Sequence, residues 1–427
     1  MSFVPYWIHQ AAGRRPERVA IEGPERSLTY AELSTAAIRA AGALRRLGAR
    51  GGSRVALELP SGEDFMIAVH GCLLAGAAVV PIDLRLTAAE RARRRAGAQI
   101  VVAEPLAGGS VTWPDLADGD PAVAVMHTSG TTAAPKPVVL TRGNFLASAL
   151  GSAVALGLDQ AERWLCPMPL THVGGLSIPI RSAIYATTAV LHARFDTDPV
   201  LNELMDPGRR ITLVSLVPTM LARLLDAGLR SPPTLRWALL GGGPIAPALL
   251  ERAQAAEVPV AATYGMTEAC SQIATHGWPL PAVEMITAAG EVLVRGPIVS
   301  AGALSEDGWL RTGDLGRFDE RGRLEIIGRK ADTIVSGGEN VAPTEVEAVL
   351  LEHPAVADAA VHARLDDEWG EAVVATVVLR GDAAVTAEAL REHCAAHLAP
   401  FKVPKEIGFA GHLPRTASGK LLRRQLG

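Results

Sequence analysis

Strand-like and helix-like stretches alternate along the first two thirds of this 427-residue chain. Short apolar runs at residues 54–59, 77–82, 189–191 and 237–240 are each separated from the next by a turn or by apolar residues at helical spacing. Such alternation requires crossover connections between parallel strands, so the sheet is covered by helices on both faces. We therefore predict an α/β protein whose ligand-binding loops lie at the carboxyl ends of its strands.

The pattern changes near residue 284. Short alternating strands follow at 291–295 and 324–327, and the chain then reads as an α+β unit with two helices and two strands. A chain of this length also favours more than one domain. We predict an N-terminal domain of residues 1–328 and a C-terminal domain of residues 329–427.

Composition narrows the classes of function. The net charge is −4 with both signs interspersed, so no basic field indicates a nucleic-acid partner. The four cysteines are scattered without a CxxC pair, which is typical of a reducing compartment. No basic and apolar leader opens the chain, and no apolar run approaches the ~20 residues of a membrane span. We expect a cytoplasmic protein without a membrane span.

The stretch from Met126 to Val139 has the composition of a phosphate-binding loop. An apolar strand at 122–126 leads into hydroxyl residues and a glycine, and Lys136 follows. Backbone N–H groups, short hydroxyl donors and one mobile cation suit a polyphosphate. The spacing is not that of a Walker A loop, which ends in Gly-Lys-Ser/Thr. A solvated turn between strands is the alternative for this stretch alone.

Four further motifs follow along the chain. Tyr264 to Glu268 combine an aromatic ring, a hydroxyl and a carboxylate at a strand end, a set able to stack a purine and hold Mg²⁺. Gly241–Gly243 allow close backbone approach. Asp314 follows a tight turn and could accept two ribose hydroxyls, and Lys420 lies in a basic C-terminal tail. Each motif singly also fits an ordinary turn or a solvated side chain.

Together, and in this order, the five motifs closely resemble those of the adenylate-forming superfamily of acyl-CoA synthetases, peptide-synthetase adenylation domains and luciferases. The resemblance extends from residue 28 to residue 420. It implies a large N-terminal domain of layered, mostly parallel sheets with helices and a small barrel-like subdomain. It also implies a small, mobile α+β C-terminal lid.

The resemblance assigns roles by position. The β- and γ-phosphates of ATP would be held by the loop residues Thr128, Ser129, Gly130, Thr131, Thr132 and Lys136. Adenine would lie between Gly241, Gly242, Gly243 and Tyr264, and Thr267 would contact the α-phosphate. Glu268 would ligate Mg²⁺, and Asp314 and Arg329 would bind the ribose. Lys420 would reach in from the lid as a catalytic residue, together with Thr267 and His172.

The implied reaction has two halves. A carboxylate attacks the α-phosphorus of ATP and releases pyrophosphate, and the lid then rotates about Ala331 to present Gly337 and Gly338 to the thiol of coenzyme A. Superfamily members usually carry Asp or Lys at the hinge and glycines at the positions of Ala133 and Pro137. The two loop departures stiffen the phosphate loop. They remove no hydroxyl and no lysine.

Within the superfamily, the stretches 169–177, 181–185, 190–192 and 264–273 are most similar to the o-succinylbenzoate–CoA ligases of menaquinone synthesis. This implies an acyl pocket lined by His172, Gly265, Ser271 and Gln272. An aryl- or other acyl-CoA ligase is an alternative, as is an adenylation enzyme that loads a carrier protein in trans. A non-catalytic nucleotide-binding protein is a third, which the retained Glu268 and Lys420 disfavour. A homo-oligomer is possible on this sequence.

Overall fold

The computed structural model of the protein describes residues 6–109, 120–128, 136–366, 369–415 and 421–426. The helices are α1 (Trp7–Arg14), α2 (Tyr30–Arg46), α3 (Glu63–Ala75), α4 (Ala88–Arg94), α5 (Arg142–Leu156), α6 (Val173–Tyr185), α7 (Thr197–Met205), α8 (Pro218–Asp226), α9 (Pro247–Ala255), α10 (Pro343–Glu352) and α11 (Ala387–His397).

The strands up to the end of the second sheet are β1 (Val19–Glu22), β2 (Ser27–Thr29), β3 (Arg54–Leu57), β4 (Ala78–Pro81), β5 (Ile100–Val102), β6 (Ala122–Thr128), β7 (Lys136–Thr141), β8 (Arg163–Cys166), β9 (Thr188–Leu191), β10 (Leu213–Leu216), β11 (Trp237–Leu240), β12 (Val260–Met266), β13 (Ser271–Thr275) and β14 (Trp278–Pro279). The later strands are β15 (Glu284–Ala288), β16 (Glu291–Arg295), β17 (Leu310–Phe318), β18 (Leu324–Arg329), β19 (Ile334–Ser336), β20 (Glu339–Val341), β21 (Val356–Asp366), β22 (Gly370–Leu379) and β23 (Glu406–Phe409).

Two large sheets form the first 280 residues. One has nine strands in the order β14-β13-β12-β11-β10-β8-β9-β1-β2, and the other has five in the order β5-β3-β4-β6-β7. Their central pairs are parallel, whereas β1–β2, β6–β7, β12–β13 and β13–β14 are antiparallel. Antiparallel edges on parallel sheets are common in such folds. The predicted α/β class with layered, mostly parallel sheets is confirmed.

Helix α3 shows why the two sheets stack. It is apolar on nearly every side, and eleven of its thirteen residues are buried. A helix that is apolar all round belongs inside a core. It packs on α2, where a Cβ at Gly71 would lie 2.7 Å from the Cβ of Ala40. The main core is continuous from these helices into strands of both sheets.

Two smaller sheets complete the chain. Strands β15–β18 form an antiparallel sheet that packs against β13 and α5, at the place of the expected barrel-like subdomain. The C-terminal sheet has the order β20-β19-β22-β21, with β23 pairing parallel to β22, and α10 and α11 cover it. This is the α+β unit predicted for the end of the chain. The boundary between residues 328 and 329 stays a prediction.

Local signals explain several element ends. The Thr29 hydroxyl accepts the backbone N–H of Glu32, and the Glu32 carboxylate accepts that of Thr29, so the Thr-x-x-Glu spacing of the sequence forms a capping box at the start of α2. Helix α6 begins at Val173, directly after His172. Among the described residues, no helix has both the length and the apolar character needed to cross a membrane.

Candidate active site

The glycine run after β11 lies beside the aromatic residue that the sequence pairs with it. Leu240 pairs with Ala262 in the parallel register of β11 and β12, so Gly241 lies next to Thr263 and one step from Tyr264. A Cβ at Gly241 would lie 2.7 Å from the Thr263 methyl group. Gly242 has a φ of +80°, a conformation that favours glycine. The run therefore offers exposed backbone beside the Tyr264 ring, the arrangement expected for a flat base.

Tyr264, Asp314 and Arg329 form one connected group. The Tyr264 hydroxyl donates to Asp314 Oδ2 at 2.7 Å, and Arg329 Nε lies 2.6 Å from Asp314 Oδ1. Burial, and then the neighbouring carboxylate of Asp314, raises the pKa of Tyr264 far above its usual value. The phenol therefore stays protonated and donates. Three residues predicted to contact the nucleoside are thus joined across β12, β17 and β18.

Asp314 is fixed by the strands that carry it. It pairs with Arg329 in the antiparallel register of β17 and β18, and its backbone N–H donates to the Thr312 hydroxyl at 3.0 Å. Glu291 accepts from the Gly313 N–H at 3.1 Å and from Lys330 Nζ at 3.0 Å. The Asp314 main chain is therefore fixed by its strand and by Thr312, and its buried carboxylate is held by Tyr264 and Arg329.

Thr267 and Glu268 lie in a short 3₁₀ turn that directly follows β12. The Ser300 N–H donates to the Glu268 carbonyl at 2.8 Å, and the Ser300 hydroxyl donates to the Val139 carbonyl at 2.7 Å. Ser300 thus ties this turn to β7, which begins at Lys136. No described residue bonds the Glu268 carboxylate. An oxygen ligand of this kind fits Mg²⁺, which prefers carboxylate and phosphate oxygens.

The two residues that flank the predicted phosphate loop are paired with each other. Thr128 pairs with Lys136 in the antiparallel register of β6 and β7, and the Thr128 hydroxyl is 3.4 Å from the Lys136 carbonyl. Lys136 is therefore the first residue of a strand, and the loop is shorter than the stretch 126–139 suggests. The remaining phosphate residues predicted there, Ser129, Gly130, Thr131 and Thr132, lie outside the described residues. So does Lys420.

His172 is the residue before α6, and its Nε2 is buried without a hydrogen-bond partner among the described residues. Burial lowers the pKa of His172, with the Asp83 carboxylate opposing the shift. Asp83 lies just after β4 and pairs with Arg85 at 2.6 Å. A neutral imidazole nitrogen with no partner can bond a ligand, as expected for a residue that lines an acyl pocket.

The other predicted acyl-site residues lie at the β12–β13 connection. A Cβ at Gly265 would lie 1.7 Å from the Ser271 carbonyl, so only glycine fits there. Gln272 is buried, and its Nε2 donates to the Thr275 hydroxyl at 3.1 Å while Oε1 lacks a partner in the described part of the chain. Ser271 has a φ of +89°, an unusual conformation for serine. Strain of this kind is often found at ligand sites.

No sequence motif singles out Arg181, which is the first residue of the similar stretch 181–185. It is buried in α6, donates from Nη2 to the Ser148 hydroxyl at 2.9 Å, and stacks over Trp164 at 5.8 Å. The Ser148 hydroxyl in turn donates to the Cys270 carbonyl, one residue before Ser271. No carboxylate of the described residues pairs with this guanidinium, and its Nε has no hydrogen-bond partner among them.

The residues predicted as hinge and as thiol contacts lie at the start of the C-terminal α+β unit. Ala331 is exposed in the turn of residues 330–332, between β18 and β19. Gly337 and Gly338 both have positive φ, and a Cβ at Gly337 would lie 2.9 Å from the Trp369 ring. The described residues contain no group of three or more histidine, cysteine, aspartate or glutamate side chains arranged to hold a metal.

Family models match most of the chain. The AMP-binding enzyme model matches residues 8–116 and 102–302, and the AMP-binding enzyme C-terminal domain matches residues 345–420. A 2-succinylbenzoate–CoA ligase of Bacillus licheniformis is 39% identical, and the alignment covers 99% of each chain.

The o-succinylbenzoate CoA synthetase (MenE) of Bacillus subtilis is similar in structure. Its complex with the acyl-adenylate intermediate OSB-AMP superposes with a TM-score of 0.92 at 37% identity, covering 100% of this chain and 98% of that one. Its complex with ATP and magnesium ion gives 0.90 at 36% identity, covering 99% of each. A double mutant bound to the product analogue OSB-NCoA gives only 0.73 at 37% identity, covering 99% and 98%. The chain is thus closer in shape to the adenylate complex, and it belongs to the AMP-binding enzyme family.

Proposed function

We propose that this enzyme is an AMP-forming acid–CoA ligase that converts 2-succinylbenzoate, ATP and CoA to 2-succinylbenzoyl-CoA, AMP and diphosphate. The observation that carries the proposal is the connected group of Tyr264, Asp314 and Arg329 beside the Gly241–Gly243 run. A stacking ring, a buried carboxylate for hydroxyl donors and exposed backbone are what a nucleoside requires. Full-length similarity to 2-succinylbenzoate–CoA ligases supports the choice of reaction.

ATP binds in this proposal with adenine between the glycine run and Tyr264, and with its ribose hydroxyls on Asp314. Its β- and γ-phosphates are assigned to the segment from Thr128 to Lys136, whose ends meet in the β6–β7 pair. The free Glu268 carboxylate fits Mg²⁺, which would neutralise phosphate charge when bound. Thr267, beside it in the same turn, is assigned to the α-phosphate.

The first half-reaction joins two anions. A carboxylate oxygen of the acid attacks the α-phosphorus, the bond from that phosphorus to the bridging oxygen breaks, and diphosphate leaves with the electron pair. Negative charge grows in the transition state, so a cation at that place accelerates the step. We assign this role to Lys420. His172, with its buried and unpartnered Nε2, is assigned to orienting the acid.

The second half-reaction makes the thioester. The CoA thiol attacks the acyl carbon, the carbon–oxygen bond to AMP breaks, and the thiol proton leaves to solvent. Gly337 and Gly338, which lack side chains to obstruct a narrow passage, are assigned to the thiol arm after rotation about Ala331. The lid is proposed to comprise residues 329–427.

Arg181 supports an acid with a second negative group. A buried guanidinium without a carboxylate is costly unless a ligand supplies the opposite charge. Its Ser148 contact connects it to the Cys270–Gln272 segment, the wall that carries Ser271. 2-Succinylbenzoate retains one free carboxylate when the other is activated, whereas a plain benzoate retains none. The buried cation therefore favours a dicarboxylic acid.

The test is diphosphate release by the purified enzyme across 2-succinylbenzoate, benzoates and medium-chain acids, each with and without CoA. We expect 2-succinylbenzoate to give the highest kcat/KM, and thioester to form only when CoA is present. A plain benzoate as the best substrate would overturn the acid assignment. Transfer to a carrier protein in preference to CoA would overturn the acceptor.

The setting of the reaction is also a proposal. The four cysteines, which all lie in described ranges, are buried and form no disulfide. Thiols in this state suit the reducing cytoplasm, where we place the enzyme. Gel filtration over a range of concentrations tests whether the enzyme self-associates, which the sequence leaves open.

A further inference from the structure

Helix α5 presents a row of large aliphatic side chains to solvent. Leu146, Leu150 and Val154 are 38%, 57% and 70% exposed, and Leu158, just after the helix, is 52% exposed. Residues four apart are neighbours along one side of a helix, so the first three form a continuous row, which we call the α5 ridge. With Leu158 it leaves on the order of 400 Å² of apolar surface in water, a patch size that often marks an interaction site.

No charge interrupts the α5 ridge. Residues 143–158 contain no aspartate, glutamate, lysine or arginine. The exposed residues of α5 are the three ridge residues alone, whereas every other described helix with exposed residues presents at least one charged side chain among them. A helix that is apolar on all sides belongs in a buried position. The ridge is therefore expected to be covered when the protein is assembled.

The inward face of α5 is fixed, so the helix cannot turn its ridge into the core. Asn144 Nδ2 donates to the Pro297 and Val299 carbonyls at 2.9 and 3.1 Å. The Ser148 hydroxyl donates to the Cys270 carbonyl at 2.8 Å. Buried polar groups that have their partners hold a single arrangement. What covers the ridge must therefore come from outside this face of the molecule.

The shape of the α5 ridge suits a second copy of the same helix. Its large side chains stand beside the partly buried small residues Gly143, Ala147 and Ala153. Rows of side chains four residues apart pack into the grooves between such rows on a facing helix. The ridge of one copy can therefore lie against the small residues of the other, and the same holds in return.

Symmetry also favours a second copy. A two-fold axis brings the same patch of both subunits together, and a patch without charges then meets no like charge. Leu150 is the middle residue of the ridge, so it meets its own copy whether the two helices run parallel or antiparallel. The antiparallel arrangement additionally sets opposite ends of the helix dipoles side by side.

The buried area is that of an interface core. Two ridges with their Leu158 residues would bury on the order of 800 Å², half the area of a standard interface. The remainder falls to a polar rim, as in most interfaces. Gln160, whose side chain accepts from Arg15 Nη2 at 2.6 Å, lies two residues after Leu158 and can supply part of that rim.

A membrane surface matches the α5 ridge less well. Helices that lie on membranes carry lysine or arginine on the face opposite to their apolar one. The opposite face of α5 is packed into the protein and holds buried residues such as Phe145 and Ser152. The net charge of the chain is −4, which gives no general attraction to anionic lipid.

We propose that this chain forms a two-fold symmetric homodimer through the α5 ridge, with Leu150 of each copy at the centre of the interface. The ridge contains none of the residues assigned to the nucleotide, the acid or CoA. The proposal therefore does not rest on the proposed function, and its test needs no substrate.

Sedimentation velocity of the full-length protein, at concentrations from about 0.1 to 100 µM, measures the association. We expect a species of twice the 44.7-kDa mass of one chain. Leu150→Glu places a carboxylate where the apolar interface leaves it unpaired, and we expect the dissociation constant to rise roughly 10-fold or more. Leu47→Glu is the matched control, because Leu47 is also 57% exposed but lies at the end of α2. It is expected to leave the dissociation constant unchanged.

A mixture of two variants tests the two-fold symmetry. Leu150→Glu and Leu150→Lys each place like charges at the centre of the interface, whereas a mixed pair places a carboxylate beside an ammonium. We expect each variant alone to be monomeric at a concentration where their equimolar mixture forms dimers. Far-UV circular dichroism of each variant is expected to match that of the wild type, because the substituted side chain is exposed.

Cross-linking provides a measurement that does not depend on a charged variant. The four native cysteines are buried, so a thiol introduced at an exposed position is the one that a short bis-maleimide reaches. We expect Leu150→Cys to give a cross-linked dimer in high yield, and Leu47→Cys to give little.

Three results would overturn the proposal: a wild type that is monomeric at every concentration, a Leu150→Glu protein that associates as the wild type does, or a mixture of the two charged variants that stays monomeric. A monomeric wild type that floats with anionic liposomes would assign the ridge to a lipid surface instead. None of these results depends on which acid the enzyme activates, so failure of the proposed function is detected separately, by the panel of acids.

Discussion

The Tyr264 hydroxyl joins the ring that is proposed to stack on adenine to the carboxylate that is proposed to bind the ribose. It donates to Asp314 Oδ2 at 2.7 Å, and the opposite oxygen of that carboxylate contacts Arg329. Burial raises the pKa of this phenol, so its role as a donor is fixed across the physiological range. Asp314 can then offer its remaining lone pairs to hydroxyl groups of a ligand.

Tyr264→Phe keeps the ring and removes only this donor. A hydrogen bond to a charged group contributes about 1.5–3 kcal/mol. We therefore expect KM for ATP to rise roughly 10-fold or more, with KM for the acid little changed. Steady-state kinetics with each substrate varied in turn provides the measurement.

Tyr30→Phe is the matched control. The Tyr30 hydroxyl is also buried and bonds the Ser182 and Thr187 carbonyls at 2.8 and 2.6 Å, and neither of these residues is among those assigned to the nucleotide. Its loss is expected to lower the melting temperature and to leave KM for ATP unchanged. Equal changes in KM for ATP in both variants would contradict a specific role for Tyr264.

At the scale of elements, the β12–β13 connection places more of the site than any other pair. It carries Tyr264, the turn with Thr267 and Glu268, and the strained Ser271 within eight residues. The two strands approach so closely at Gly265 that a Cβ would lie 1.7 Å from the Ser271 carbonyl. The connection keeps this path only with glycine at position 265.

Gly265→Ala is therefore expected to push the two strands apart. Overpacking against backbone costs about 1–3 kcal/mol, and the displaced Ser271–Gln272 segment is expected to raise KM for the acid. Gly408→Ala is the matched control, because Gly408 is an exposed strand glycine with nothing within 4 Å of its added Cβ. Chemical denaturation and acid-dependent kinetics are measured for both. A Gly265→Ala enzyme as stable and as active as the Gly408→Ala enzyme would contradict this account.

The sequence predicts helices and strands better than it predicts which distant residues pack against one another. The Thr29–Glu32 capping box and the alternation of strands and helices are local signals, and the structure confirms both. Strand β7 was missed because it starts with Lys136 and Pro137, residues typical of a loop. The isolation of Arg181 from any described carboxylate depends on which distant residues surround it, so no local pattern could reveal it.

At the scale of the whole molecule, the core between the two stacked sheets is almost entirely apolar. Helix α3 nevertheless places one histidine, His70, inside it. His70 is 2% exposed, and burial lowers its pKa to about 4. Burial also lowers the pKa of His127, His172 and His276. All four therefore favour the neutral ring in the folded state, and protons bind more readily to the unfolded chain.

The stability of the folded state is expected to fall as the pH falls below that of an ordinary histidine. Between the ordinary histidine value near 6.5 and the folded value of His70 near 4, the unfolded chain takes up the proton first, so stability falls as the pH falls. A shift of this size corresponds to about 3 kcal/mol for His70 alone. We expect the free energy of unfolding, measured by urea titration at pH 7.5, 6 and 5, to decrease across this window.

In His70→Leu, the decrease is expected to be smaller but not absent, because the other three histidines titrate in the same direction. A wild-type stability that rises as the pH falls from 6.5 to 5, or an unchanged slope in His70→Leu, would contradict a neutral buried His70.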